Sequence, residues 1–160
     1  MFRTGENVVY PGHGVGVIEG LQARNISGLE RKFYMLRILE SEMTIMIPTE
    51  NMEALGLRPV ISREMVSKVY RILRSRKAEG DVQSWNRRSR EYTEKIKTGS
   101  VIEIAKVLRD LFVLKADKEL SFGERKMLDT ARNLLVKELA IASAHSETKI
   151  LEDLNGIFAQ

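Results

Sequence analysis

The residues best suited to chemistry with a polyanion are Trp85-Asn86-Arg87-Arg88-Ser89-Arg90, where the only tryptophan of the chain meets three guanidiniums. Guanidiniums grip phosphate oxygens in pairs, and an aromatic ring beside them can stack on a base or wedge between base steps. Unpaired N–H groups at a helix start add to such a site. Were Trp85 a core residue, positions i+3 and i+4 should be apolar; they are Arg88 and Ser89. Tyr92 and Ile96 are the clear apolar members of the helix that follows. Two readings stay open from these residues. Trp85 stands half exposed among phosphate-holding arginines, or it packs on neighbouring helices while the arginines snorkel over it.

Enzyme chemistry finds little material. Gly12-His13-Gly14-Val15-Gly16-Val17-Ile18-Glu19 superficially suggests a dinucleotide fingerprint, but Glu19 holds the third glycine position and another strand follows. No helix start is then available for a pyrophosphate, and the glycines read as a tight turn and a crowded sheet corner. There is no P-loop, no H-E-x-x-H and no G-x-S-x-G. His13 and His145 have no evident second ligand, and Asp117, Glu119 and Glu124 lack calcium-loop spacing. With 0 cysteines there is neither a disulfide framework nor a thiol nucleophile, which fits a cytosolic protein. The expectation is a non-enzyme without cofactor or metal.

At 160 residues, 43% apolar and 30% charged, the chain can bury a core and is too apolar for a disordered tail. No apolar run is long enough for a membrane span, and Met1-Phe2-Arg3-Thr4-Gly5-Glu6 has no signal-peptide character. Charge is uneven along it. Residues 1–59 hold 6 Lys/Arg against 7 Asp/Glu, whereas 68–97 alone hold 10 against 4. A local basic stripe asks for an anionic partner or a solvated face.

The elements that must position this stripe change character near residue 60. Upstream, Val8-Val9-Tyr10, a run from Val15 to Leu21, Lys32 to Ile38, and Met43 to Ile47 are short β-type segments. Pro11-Gly12-His13-Gly14, Asn25-Ile26-Ser27-Gly28 and Pro48 punctuate them. Such spacing predicts a small closed or nearly closed β-barrel over 1–58. From Ser62 the period is helical. Met65, Val66, Val69, Tyr70, Ile72 and Leu73 make a first stripe, and a second helix covers 84–97 before Thr98-Gly99. Ser100-Val101-Ile102-Glu103 and Ser121-Phe122-Gly123-Glu124 read as capping boxes opening two more helices. A last helix spans Ser146 to Phe158. The fold class is α+β: the barrel, then a bundle of four to five helices over 62–160.

In order and spacing, several stretches together resemble one family. They are Gly5-Glu6-Asn7-Val8-Val9-Tyr10-Pro11-Gly12-His13-Gly14, Ile47-Pro48-Thr49-Glu50-Asn51 and Trp85-Asn86-Arg87-Arg88. Ile104 to Leu111, Leu120 to Leu128 and Ala131 to Ala140 continue the match. The chain resembles the CarD/CdnL family of bacterial RNA-polymerase-binding transcription regulators along nearly its whole length. The resemblance implies a Tudor-like (SH3-like) barrel that docks on the lobe of the RNA polymerase β subunit. It also implies a helical domain that contacts promoter DNA near the upstream edge of the bubble, mostly without sequence specificity. In that family a Trp wedge stabilises the open complex. Trp85 matches the wedge, Arg87, Arg88 and Arg90 match backbone contacts, and Arg125-Lys126 match a further basic position.

The chain departs from the family pattern on the barrel. Arg24 lies where a basic residue commonly meets polymerase, but Met46 replaces a residue that is basic in some members. The resemblance thus implies a more apolar polymerase surface from Ile26, Ile45, Met46 and Ile47 around Arg24. Its implications are a transcription initiation regulator, cytoplasmic and carried to the nucleoid by polymerase, with no membrane or small-molecule partner. The rival reading is a protein-interaction module, polymerase- or repair-coupling-factor-like, in which Trp85 is core and DNA is not touched.

Overall fold

The computed structural model describes residues 2–75 and 85–159, apart from the side chains of Asn51, Trp85, Asn86 and Asp117. Part of the basic stripe, residues 76–84, and the ring of Trp85 thus lie outside the described residues. The chain divides into two compact units, Met1–Val60 and Ile61–Gln160.

The first unit is one antiparallel sheet. Its strands are β1 (Asn7–Tyr10), β2 (Gly14–Ile26), β3 (Leu29–Ile38), β4 (Thr44–Pro48) and β5 (Arg58–Pro59), in the order β4-β3-β2-β1-β5. Since β4 and β5 are edges, the described sheet is open rather than a barrel closed by hydrogen bonds. β5 has no period-two signal: it is two residues, one of them Pro, paired with Val8 and Val9. One face carries the core of Val8, Ile18, Tyr34, Leu36, Ile38 and Ile47. Gly16 lies over that face. A Cβ there would come within 2.7 Å of Leu36 Cδ1 and 2.9 Å of the Arg37 carbonyl oxygen, so no larger residue fits without a shift.

A bulge between Ile18 and Gly20 leaves Glu19 as the extra residue on β2. Beyond it the two strands leave the core, and residues 21–32 are exposed throughout. They close on Ser27 and Gly28, whose φ values of 55° and 83° make the two-residue turn that matches strand twist.

The second unit holds α1 (Arg63–Arg74), α2 (Trp85–Lys97), α3 (Val101–Asp117), α4 (Phe122–Ser143) and α5 (Glu147–Phe158). Four serines cap four of them: Ser62, Ser100, Ser121 and Ser146 accept from the N–H of Met65, Glu103, Glu124 and Lys149. Only the box at Ser121 is reciprocal. At Ser100 the backbone N–H goes to Thr98 Oγ1 at 3.2 Å, and the Glu103 carboxylate turns to Lys95 at 3.9 Å and Lys106 at 3.7 Å. The expected box there is therefore half formed.

Leu73, Leu108, Leu111, Leu135, Leu139, Ile150 and Leu154 fill the helical core. Phe112 stacks on Phe158 with centroids 3.8 Å apart, joining α3 to α5. Buried Glu138 accepts from the Ile61 N–H at 3.0 Å, tying the approach to α1 onto α4. No helix among the described residues is long and apolar enough to cross a membrane.

Candidate nucleic-acid interface

α2 carries its arginines on two different faces. Arg88, Tyr92 and Ile96 follow one another at steps of four, so they share the side of the helix that meets the core. Tyr92 and Ile96 are buried, and the Arg88 side chain is 19% exposed. Arg87 and Arg90 sit on the opposite side and are exposed, with Arg87 in a loose pair to Glu91 at 3.9 Å. The structure therefore separates three arginines that their proximity in sequence made look alike.

Arg88 reaches across to α4. Its Nη1 lies 3.9 Å from Oε2 of Glu124, a carboxylate only 1% exposed. Glu124 is also the capping-box residue: its Oε1 accepts from the Ser121 N–H at 2.9 Å and lies 3.2 Å from Lys118 Nζ. Burial pushes this carboxyl up, but the Ser121 N–H and hydroxyl and the Lys118 ammonium outweigh it. The net shift is downward, and the group stays charged. A buried charge is strongly destabilising when a partner is removed, and Arg88, at ion-pair range but without a hydrogen bond to Oε2, is the α2 residue that faces it.

A second buried pair lies behind α2. Arg109 and Asp110 of α3 are 4% and 7% exposed, with Nε donating to Oδ1 at 3.1 Å. Tyr92 feels this charge: burial first, then Asp110, raises its hydroxyl to about 12, so the ring stays neutral. α2 is thus seated by the apolar stripe of Tyr92 and Ile96, with Arg88 at ion-pair range of Glu124. Arg125 and Lys126, in the opening turns of α4, are exposed. The Arg88–Glu124 pair brings them to the same end of the bundle as the first turn of α2. Arg87, Arg90, Arg125 and Lys126 are thus exposed on the opening turns of α2 and α4, while Arg88 faces inward. The ring of Trp85, first residue of α2, is outside the described side chains.

On the sheet, cross-strand register sorts the expected polymerase residues by face. Tyr34 pairs with Ile47 and Leu36 with Ile45, so both isoleucines lie on the core face. Ile47 is 1% exposed and belongs to the core, and Ile45 packs against it. Ile47 is thus part of the core, whereas Ile45 is half-buried, as Met46 is on the other face. Met46 pairs with Met35 on the opposite face. Arg24 and Ile26 lie on that outer face, where Arg24 stands opposite Arg31 and Ile26 opposite Leu29. Like charges directly opposed cost stability, and Arg24 and Arg31 are both exposed. The nearest relief is Gln22 Oε1, 3.4 Å from Arg24, and Glu50, 3.9 Å from Arg31.

Two features near these residues are not singled out by sequence reasoning for what the structure shows of them. Glu124 reads from sequence as a capping-box residue, and its position opposite Arg88 needs the tertiary fold. Phe122, at the first position of α4, is 75% exposed, the largest value among the described large apolar residues. Its signal was legible: Phe122, Arg125 and Lys126 stand at i, i+3 and i+4.

Comparison with known proteins agrees with both halves. Residues 2–61 match the CarD-like/TRCF RID domain family, and residues 68–155 match the CarD, C-terminal domain family. A Bacillus subtilis (strain 168) protein named "Putative transcription factor YdeB" is 35% identical over 150 residues, covering 94% of this chain and 97% of its own. Among solved structures, CdnLNt from Myxococcus xanthus is 46% identical, covering 39% of this chain and 89% of its own, with a TM-score of 0.35. The 72-residue N-terminal domain of Myxococcus xanthus CarD is 27% identical, covering 37% and 79%, with a TM-score of 0.32. With both of its units matched in order and a full-length relative above one-third identity, the chain belongs to the CarD/CdnL family of transcription regulators.

Proposed function

We propose that this protein is a non-enzymatic regulator of transcription initiation that bridges RNA polymerase and promoter DNA. The sheet unit docks on the lobe of the polymerase β subunit through its outer face, with Arg24, Ile26 and Met46. The helical unit holds promoter DNA at the upstream edge of the bubble through Arg87, Arg90, Arg125 and Lys126, and Trp85 wedges into the minor groove. Such a protein works in the cytoplasm, at the nucleoid, wherever polymerase carries it.

The mechanism is differential binding. A wedge and a phosphate clamp that fit melted, distorted DNA better than closed duplex shift the equilibrium toward the open complex. One observation carries this reading. Four exposed cations lie on the opening turns of α2 and α4, between which half-buried Arg88 faces buried Glu124 at 3.9 Å. Lys and Arg contacts of this kind grip phosphate without reading bases, so DNA affinity of the free protein is low and falls steeply with salt.

The test is the lifetime of open complexes formed by polymerase with and without the protein. The protein lengthens it and Trp85→Ala removes the effect, while polymerase is still pulled down by the variant. A Trp85→Ala variant that lengthens the lifetime as the unaltered protein does would end the wedge reading.

A further inference from the structure

The basic stripe that begins at residue 68 starts on α1, and none of its members there takes part in the contact proposed above. α1 holds four cations, Arg63, Lys68, Arg71 and Arg74, against one carboxylate, Glu64. Its buried side, Val66, Val69 and Leu73, packs on α3, α4 and α5. On the other side Arg63, Ser67, Arg71 and Arg74 succeed one another at steps of four, four and three. Those steps put them in one row along the helix, and all four are exposed. Lys68 and Glu64 border the row and are exposed too.

The fold does not account for this row. Among the described residues no carboxylate pairs with Arg63, Lys68 or Arg71, although Glu64 stands one turn before Lys68. Arg71 and Arg74 lie in the last turn, where cations suit the negative end of the helix dipole. Arg63 does the opposite. It opens the helix, where the unpaired N–H groups disfavour a cation. Arg74 rests over the Tyr70 ring at 5.6 Å, and the Tyr70 hydroxyl donates to Asp153 at 3.1 Å. Even so, Arg74 stays exposed.

We propose that the outer face of α1 is a further phosphate-binding surface, and that its occupant is the backbone of double-stranded DNA. From Arg63 to Arg74 the row runs about 16 Å. Duplex DNA carries one negative charge for about every 1.7 Å of its axis, so a row of that length faces phosphates throughout. The residues among the cations favour DNA over protein. A protein interface centres on apolar or aromatic side chains, and this face has Ser67 and Glu64 instead. They also favour duplex over single strand. Unpaired bases need rings to stack on, and Tyr70, beneath Arg74 and bonded to Asp153, is half-buried. The proposal rests on the reading of the helical unit as DNA-binding, and adds paired DNA on α1 to the contact at α2 and α4.

Fluorescence anisotropy of the full-length protein on a labelled blunt duplex, taken through a salt series, is the test. Arg63→Gln, Arg71→Gln and Arg74→Gln combined are expected to lower the salt slope by about two to three. Affinity at low salt should fall about 10-fold or more. Arg63→Lys, Arg71→Lys and Arg74→Lys combined keep the charges and keep the slope. Glu64→Gln removes the carboxylate of the face and should tighten binding about 2-fold, a gain that no loss of folding can imitate.

A triple Gln variant with the slope and affinity of the unaltered protein overturns the proposal and leaves the contact at α2 and α4 standing. So does a triple Lys variant that loses as much as the Gln one, because charge is then not what binds. A loss confined to polymerase pull-down, with DNA binding unchanged, gives the face to an acidic protein surface and overturns it too. Should the Gln variant unfold, Glu64→Gln decides: no gain in affinity overturns the proposal. Absence of salt-sensitive DNA binding by the unaltered protein is a different failure, which removes the parent reading along with this one.

Discussion

Arg88 of α2 and Glu124 of α4 lie 3.9 Å apart, joining the first turn of one helix to the capping box of another. One oxygen of this carboxylate thereby caps a helix start, while the other, without a hydrogen bond, lies at ion-pair range of the neighbouring helix. Removing it should cost more than either role alone. Glu124→Ala is expected to destabilise the protein by about 3 kcal/mol, because it leaves Arg88 and Lys118 without their buried counter-charge and breaks the cap. Glu124→Gln, which can still cap, should lose less. Urea denaturation of the two variants checks the order.

The pH dependence follows from the same carboxylate. Glu124 is held below its usual 4.5, and Asp153 below 3.8 by Lys149 and the Tyr70 hydroxyl against some burial. Groups depressed on folding add stability that is fully present above the unfolded values and fades as pH falls through the folded ones. The helical unit should therefore hold its melting temperature down to about pH 5 and lose it progressively below. In Glu124→Gln the acid loss should be shallower. An equal slope in both proteins would show that Glu124 is not the group responsible.

At the alkaline end the sign reverses. The Tyr70 hydroxyl donates to Asp153 Oδ2 at 3.1 Å, and burial first, then that carboxylate, raises it to about 12. A group raised on folding gives stability that is complete below its unfolded value of 10 and is lost as pH climbs toward 12. Tyr70→Phe should be less stable at neutral pH, since it leaves Asp153 one donor short. It should also lose less stability between pH 10 and 12 than the unaltered protein. Melting curves through that range give the comparison.

The sheet offers a steric test. At Gly16 an added methyl group meets not only a mobile leucine tip but the Arg37 carbonyl, which belongs to the paired strand. Gly16→Ala should cost roughly 1–3 kcal/mol, the usual range for overpacking. Gly20, where a Cβ would meet nothing within 4 Å, is the matched control and should tolerate alanine far better.

The legible and illegible parts of this molecule divide by range of interaction. Ser121 reads as a cap from sequence, and Ser62 and Ser146 as helix starts, because a cap is decided within four residues. Ser100 failed in part, since Thr98 competes for its N–H and Lys95 and Lys106 draw Glu103 away. β4 failed differently. Ile45, Met46 and Ile47 are all apolar, so alternation could not tell the core face from the outer one; only the pairing of Tyr34 with Ile47 does. β5 carries no pattern at all. At the site, the cluster of cations was legible. The separation of Arg88 from Arg87 and Arg90 was also encoded, in the four-residue steps from Arg88 to Tyr92 and Ile96, but proximity in sequence hid it.

That separation yields the sharpest prediction for the proposed interface. Arg87 and Arg90 are exposed, and among the described residues Arg87 meets Glu91 in a loose pair, so replacing either by Ala should leave folding within about 0.5 kcal/mol. If they hold phosphate, each replacement should weaken DNA binding for all sequences alike and take about one from the salt slope. Arg88→Ala should behave in the opposite way. It uncovers the buried Glu124, lowers the melting temperature, and weakens DNA binding only as far as α2 loses its seat. Adding Glu124→Ala to Arg88→Ala should then cost less than the two single losses together, because the pair has already been broken. Arg88→Ala with full stability and a reduced salt slope would move Arg88 back among the DNA contacts and leave Glu124 to the cap alone.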